Sequence, residues 1–575
     1  MSDHVSFELD GVEVTVEPVP GETLLTVLRE RLGVTEVKDG CAPQGQCGCC
    51  TVLVDGDARV ACVTPVARVA GRRVTTVRGL DPTWRDGAAA ALVGTGGSQC
   101  GFCTPGIVVR AAAATAKGRG DGAGLERALA AHVCRCTGWQ TVVEAFGDLA
   151  AGAAPVPRDL DLAAERARLE GGVPQLVDLD VPLGGAPFAD DRAPRDAIVA
   201  VPRPPGSDAP AEVVDGIAWV VGPTLAEARR AAGTVQGRRT TVDDLPPLPL
   251  PATPAGGYAL ATGWVDAAYL EPDASWCEPG GEPASARGNG GGFGGKAASI
   301  APGAARALAD RLDRTVRVVL TREDVVRRSP KRAPIAASAS FDGARVVITG
   351  TCAAGGEEHL RAAATVASPY DLVIDATWTP ASIAGPPVSG ALRAAGLAET
   401  AVLVEGALAA AGADRLSLVR GVRAVSVLLD TCVAHADGAM AGARVDIDPD
   451  TGRIEGVRVR VAAGDPLDDV VLRSYAIGAA HMALGWVLTE GLAVDPESGE
   501  PLDLTIRSLG IIRAHAVPPI EVEIVDEPGP PLGRSSDAVF AAVAAATVVA
   551  LLRADGVAPD TFPARDTRTA RALRR

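Results

Sequence analysis

Residues 40–52 read GCAPQGQCGCCTV, which puts Cys41, Cys47, Cys49 and Cys50 within ten positions. Nine of the chain's 12 cysteines fall between Cys41 and Cys136 of its 575 residues. Disulfide frameworks belong to short secreted domains, and the N-terminal MSDHVSFELDGVEVTVEPV lacks a basic region followed by an apolar run. The clustering therefore points to metal ligation in a reducing, cytoplasmic compartment. A formal charge of -16 repels phosphate backbones and anionic lipid, which argues against nucleic-acid and membrane-surface binding.

Outward from this loop, residues 4–18 and 51–62 alternate apolar and polar side chains around DGVE and DGDA turns, as hairpin strands do. Gly21–Gly33 has helical spacing at Leu24, Leu25, Leu28 and Leu32. A small sheet crossed by one helix is predicted. From Thr83 to Phe146 the pattern is helical, with Thr104 expected as an N-cap and Pro105 as the first helical residue. Ala150–Asp161 reads as a linker and the Pro-rich Asp244–Pro254 as a further connection. The apolar run Ala538–Leu552 is too short to span a bilayer comfortably and reads as a buried helix. The remainder mixes β-branched segments with Ala-rich helices, as an α+β arrangement does.

The first cluster closes as Cys41-x5-Cys47-x2-Cys50-x11-Cys62, close to the plant-type spacing that holds a [2Fe-2S] centre. Gly40, Gly45 and Gly48 let the backbone fold closely and aim N–H groups at sulfur. A zinc loop is the alternative, but zinc knuckles pair CxxC units. The second set is QCGFCTPG, with Cys100 and Cys103, and CRCTGW, with Cys134 and Cys136. Presented at two helix starts, these four thiols favour an anionic cluster.

CGCCTVLVDG, QCGFCTPG and CRCTGW together resemble the two-cluster iron-sulfur domain of the xanthine dehydrogenase and aldehyde oxidase family of molybdenum hydroxylases. The resemblance covers residues 1–150. It implies a β-grasp ferredoxin domain and a four-helix domain, each holding one [2Fe-2S] cluster, with Cys49 as a small packed side chain. It also implies that Gln99 contacts a pterin and that the helical domain's cluster lies nearest molybdenum.

The likeness continues weakly to the C-terminus. Arg287–Lys296, RGNGGGFGGK, fails as a phosphate loop because Ala297 stands where Ser or Thr binds magnesium. It resembles the family's GGGFGGK loop, in which Gly292, Phe293 and Gly294 would face the metal's oxo ligand. PPVSGALRAAGLAETAVLVE places Arg393 in the cofactor segment's arginine position, and YAIGAAHMALGWVLTE resembles a Gly-rich helix start at which Tyr475 replaces a glutamine. At the position of the family's catalytic glutamate stands Ser536, which has no suitable pKa to act as base. Asp537 is adjacent, but would need a different backbone path. No Gly-Gln-Gly segment is found between Arg423 and Ala424.

The expected fold is multidomain α+β: a β-grasp [2Fe-2S] domain (1–80), a helical [2Fe-2S] domain (81–150), a linker (151–180), and a shortened mixed α/β molybdopterin-binding-like module (181–575). The expected function is electron relay through two [2Fe-2S] clusters, between a molybdenum centre and an acceptor. The family resemblance supplies a molybdopterin-type cofactor, a separate flavoprotein subunit and an intact molybdenum subunit as counterparts, with no FAD or NAD site in this chain. An active hydroxylase of aldehydes or N-heterocycles is the alternative. A redox-sensing or assembly scaffold is the alternative of another class. His435, His481, Cys277, Cys352 and Cys432 read as packed or surface residues, and the acidic run from Asp159 as a solvated helix.

Overall fold

The computed structural model describes residues 4–154, 156–233, 240–366 and 368–574. Its first unit is a five-stranded sheet in the order Val12–Val16, Val5–Leu9, Arg73–Thr75, Thr51–Val54, Asp57–Val60. Both hairpins turn on Asp-Gly pairs with positive φ, Asp10–Gly11 and Asp55–Gly56, the backbone that matches the twist of paired strands. The predicted helix begins at Leu24, capped by the Thr23 side chain, and widens into a π turn over Val27–Arg31. Its Leu24, Leu25, Val27 and Leu28 pack on Phe7, Val52 and Val74 of the sheet.

Four helices follow, Pro82–Thr95, Thr104–Thr115, Gly122–Ala128 and Gln140–Ala151. The expected cap at Thr104 is displaced by one residue. Cys103 is the N-cap, Pro105 sits in the helix's first turn, and the Thr104 hydroxyl instead meets that of Ser98 at 3.2 Å. The segment after this unit contains a helix, Leu160–Gly171, and it is not simply solvated. Ala163 and Ala167 pack against Val471 and Tyr475, and Arg166 and Glu170 are buried. Only its opposite face meets water, so the charged pattern concealed an inward pair.

The C-terminal part holds four further sheets among the described residues. Two have five strands, one pairs Val265–Asp266 with Lys331–Arg332, and the fourth runs Thr431–Ala434, Met440–Ile447, Ile454–Ala462, Ile520–Ile524. Between them pack the helices Leu397–Ala410, Asp469–Leu488 and Ser535–Asp555. The last two are long and apolar enough to cross a membrane, yet both are buried almost throughout. A helix apolar on every side belongs in a core, and Ala538–Leu552 lies there as expected. Helix Asp469–Leu488 meets the helical unit near its N-terminal end, where the Ser474 hydroxyl donates to the Gly96 carbonyl at 2.7 Å.

The iron-sulfur-like unit and the module share a core, in which Phe102, Cys100 and Cys136 pack with Trp264, Leu492, Leu504 and Ile506. Buried polar contacts fasten the seam. Arg322 donates to the Gly40 carbonyl (2.7 Å), Gln44 to that of Leu504 (2.8 Å), and Arg135 pairs with Glu490.

Candidate functional site: two thiol sets and an adjoining cavity

Every cysteine is a free, buried thiol. Cys41, Cys47 and Cys50 lie on the loop before strand Thr51–Val54, and Cys62 lies on the turn Ala61–Val63 after the paired strand. Positive φ at Ala42, Gly45 and Gly48 curls the loop. The N–H groups of Gln44 and Gln46 point at the Cys41 sulfur, at 3.1 and 3.5 Å. Hydrogen bonds from Cys47 and Cys62 hold the Cys41 thiol well below its usual range, and the same bonds push both donors up. Sulfurs that share hydrogen bonds this closely are placed to ligate a common cation in place of the shared protons.

The second set repeats the pattern. Cys100 and Cys103 precede helix Thr104–Thr115, and Cys134 and Cys136 precede helix Gln140–Ala151. The Cys100 and Cys136 sulfurs are 3.4 Å apart. A hydrogen bond with Cys103 lowers the Cys134 thiol to about 6 against the opposing effect of burial. The Val133 N–H donates to the Cys47 carbonyl at 2.9 Å, so a single backbone hydrogen bond joins the two loops. Cys49 is buried against Cys47, as a packed side chain.

Beside Cys100 lies a cavity of about 100 Å³, lined by Gln99, Glu170, Phe293, Arg393, Tyr475 and Asp537, with the loop Gly290–Gly294 as one wall. The glycines are obligatory. A Cβ on Gly291 would stand 3.0 Å from the Cys100 sulfur, and one on Gly294, at φ +83°, would collide with the Ala391 carbonyl. Gly292 packs on the Lys296 stem. Gln99 donates to the Cys136 carbonyl (3.0 Å) and the Ser474 hydroxyl (2.9 Å). The Arg393 N–H donates to the Phe293 carbonyl, and its guanidinium lies 4.7 Å from the Phe293 ring centre and 3.7 Å from the Asp537 carboxylate.

Gln99, Phe293, Arg393 and Tyr475 are thus brought together as the motifs suggest. Ser536 is not among the lining residues. Its N–H donates to Glu170 (2.8 Å) and its hydroxyl has no partner among the described residues. Asp537 faces the cavity instead. The different backbone path it needs is supplied by Arg534, left-handed at φ 56° and ψ 28° just before the helix. Burial pushes the Asp537 carboxyl up, against Arg393 and Arg534. His435, read as isolated, stands 4.0 Å from Asp537. His481 is a packed histidine bonded to the Ile512 carbonyl, and Cys277, Cys352 and Cys432 are core residues.

Glu170 was not foreseen. It comes from the segment read as a linker, pairs with Arg166 and accepts from Ser535, so it caps helix Ser535–Asp555 from outside. The Arg166–Glu170 spacing of four on a helix is the only local signal for it. Burial raises this carboxyl, but Arg166 and the two serines together hold it below its usual range.

A sheet carrying one thiol loop and a four-helix unit carrying a second define a two-centre iron-sulfur protein. The 2Fe-2S iron-sulfur cluster binding domain matches residues 7–67, the [2Fe-2S] binding domain 76–147, and the molybdopterin cofactor-binding domain 295–518. The chain is 38% identical over 144 residues to the xanthine dehydrogenase iron-sulfur-binding subunit of Escherichia coli O157:H7, covering 89% of that protein and 24% of this one. It is 42% identical over 154 residues to the aldehyde oxidoreductase of Megalodesulfovibrio gigas, a match spanning 16% of that protein and 25% of this one. In structure, the aldehyde oxidoreductase from Desulfovibrio desulfuricans superposes with a TM-score of 0.73 at 16% identity, over 99% of this chain and 100% of that one. The chain belongs to the xanthine dehydrogenase and aldehyde oxidase family of molybdenum hydroxylases.

Two [2Fe-2S] centres fit the residues present: two sets of four buried thiols, the first with N–H groups already turned to sulfur. The family's pterin cofactor would find Gln99, Phe293 and Arg393 on the cavity wall, but little free space among them in this structure. Its cavity here holds about 100 Å³, whereas organic-ligand pockets hold roughly 300–1,000 Å³. The Gly294 backbone closes one side against Ala391.

Proposed function

We propose that this chain is the electron-relay component of a xanthine dehydrogenase or aldehyde oxidase type complex, and that its C-terminal module serves as a docking scaffold. The supporting observation is the pair of buried thiol sets joined by the Val133–Cys47 hydrogen bond, the second set lying against the module's Gly291 loop. In this reading Cys41, Cys47, Cys50 and Cys62 hold one [2Fe-2S] cluster, and Cys100, Cys103, Cys134 and Cys136 the other. Bound clusters supply one-electron steps. The protein's own contribution is to bury the sulfurs, direct the Gln44 and Gln46 N–H groups at Cys41, and fix the CRC loop through Arg135 and Glu490.

The domain limits follow as 1–80, 81–150, a connecting segment to about 180, and 181–575. The counterparts in this reading are a flavoprotein subunit and an intact molybdenum subunit in the cytoplasm. Metal analysis of the protein purified from its host tests the proposal. About four irons per chain, with molybdenum absent or confined to a copurifying subunit, is the expected result. One molybdenum held by this chain together with a stoichiometric pterin would refute the scaffold role. Zinc in place of iron would refute the relay.

A further inference from the structure

We infer that this cavity binds a small tetrahedral oxyanion where relatives carry a pterin. Charge makes the first case. Arg287, Lys296, Arg393 and Arg534 line it, against Glu170 and Asp537. Lys296 is answered outside the cavity by Glu271 (2.5 Å), and Glu170 by Arg166. Three guanidiniums therefore remain for the single carboxylate of Asp537, which lies 3.7 Å from Arg393 and 3.6 Å from Arg534 and is also approached by His435. Arg393 is only 6% exposed, and a buried guanidinium sharing one carboxylate gains strongly from a second anion.

The backbone makes the second case. Gly290, Gly291, Phe293 and Gly294 all have positive φ. The N–H groups of Gly291, Gly292, Phe293 and Gly294 meet no acceptor among the described residues. Successive N–H groups on a loop of this kind form a concavity for anions. Gln99, Gln175 and Tyr475, each more than nine-tenths buried, add polar side chains to the wall. Volume makes the third. A space of about 100 Å³ takes a few waters or one phosphate, sulfate or molybdate, but not a pterin.

The site also touches the second thiol set, because Gly291 lies against Cys100 and Cys136. A negative charge there favours the more oxidised cluster and lowers its potential. This last step rests on the relay reading, and the claim that an oxyanion rather than a pterin takes the cavity rests on the scaffold reading of the module.

Titration calorimetry on the cluster-loaded protein, with phosphate, sulfate and molybdate against chloride at matched ionic strength, tests the binding. Saturable binding of at least one oxyanion at one site per chain is expected. Arg534→Gln and Arg287→Gln, at partly or fully exposed side chains, should each weaken it about tenfold, as loss of a charge-assisted bond does. Arg393→Gln should abolish it. Wild-type protein without saturable binding, or affinities unchanged in both exposed variants, would overturn the proposal. So would copurification of a stoichiometric pterin. A redox titration by electron paramagnetic resonance reads the coupling: oxyanion should lower the midpoint of the signal that Cys103→Ser removes and leave the other in place. Binding without any cluster signal would sustain the site and refute the relay; two cluster signals without binding would do the reverse.

Discussion

Removing Glu490 isolates what the module does for the iron-sulfur unit. Glu490 takes Arg135 in a two-pronged pair, at 2.5 and 2.7 Å, with the two side chains only 2% and 3% exposed. Arg135 stands between Cys134 and Cys136, and its third contact is the Ala267 carbonyl at 3.1 Å. Glu490→Ala leaves a guanidinium buried without its counter-ion, which costs about 3–5 kcal/mol. Arg135→Met with Glu490→Leu removes both charges while keeping the apolar stem, so the double variant should lie within about 1–2 kcal/mol of wild type. Guanidinium unfolding, followed by cluster absorbance and by tryptophan fluorescence, measures this. The cluster-bleaching transition should shift in the single variant and largely recover in the double. A single variant costing under about 1 kcal/mol, or a double costing as much as the single, would show that the pair does not fasten the CRC loop.

Cys50→Ser and Cys103→Ser should each lose about two of roughly four irons and a different paramagnetic signal, since each disables one set. Iron loss by both sets in either variant would refute their independence. Gly294→Ala should cost more than about 3 kcal/mol or prevent folding, because left-handed strain of about 1–3 kcal/mol adds to collision with the Ala391 carbonyl. Gly118→Ala, at φ +66° with open space around it, should show the strain alone in the same denaturation series. His481 is lowered from 6.5 to about 4, chiefly by burial. Between those values only the unfolded chain holds the proton, so the contribution is full above pH 6.5 and disappears as pH falls toward 4. That is up to about 3 kcal/mol, and His481→Gln should flatten the acid limb of stability against pH by that amount.

The iron-sulfur half was legible because its determinants are local. Cysteine spacing fixes the loops, Asp-Gly pairs fix the hairpins, and alternation fixes the sheet faces. Even the small error at Thr104 is of this kind, a cap moved one residue by the Ser98 contact. The cavity was legible only in part. Phe293 and Arg393 sit in recognisable segments, but Glu170 reaches helix Ser535–Asp555 from 365 positions earlier in the chain. Its pairing with Arg166 looks the same in sequence as a surface pair. Asp537 was set aside because register was counted along an ordinary helix start. Arg534 in the left-handed region turns the first residues and brings Asp537, not Ser536, to the wall.

The two thiol sets differ in what surrounds them, and this gives the proposed relay a direction. Cys100 and Cys136 are enclosed between the helical unit and the Gly291 loop. The first loop lies nearer the surface: Pro43–Gln46 is half-buried, and Val63, beside Cys62 and against Gly45, is 57% exposed. Electron transfer to a separate protein needs a centre close to water, and transfer from a buried donor needs one close to the module. In the proposed relay the inner set adjoins the module's cavity, and the outer set, which the module also holds at Gly40 and Gln44, presents its exposed Val63 edge to an acceptor protein, with the Val133–Cys47 hydrogen bond between the two. A bulky substitution at the exposed rim, Val63→Trp, should slow reduction of an added flavoprotein several-fold while leaving both cluster midpoints unchanged in a redox titration. If Val63→Trp left that rate untouched, the electron exit would have to lie elsewhere.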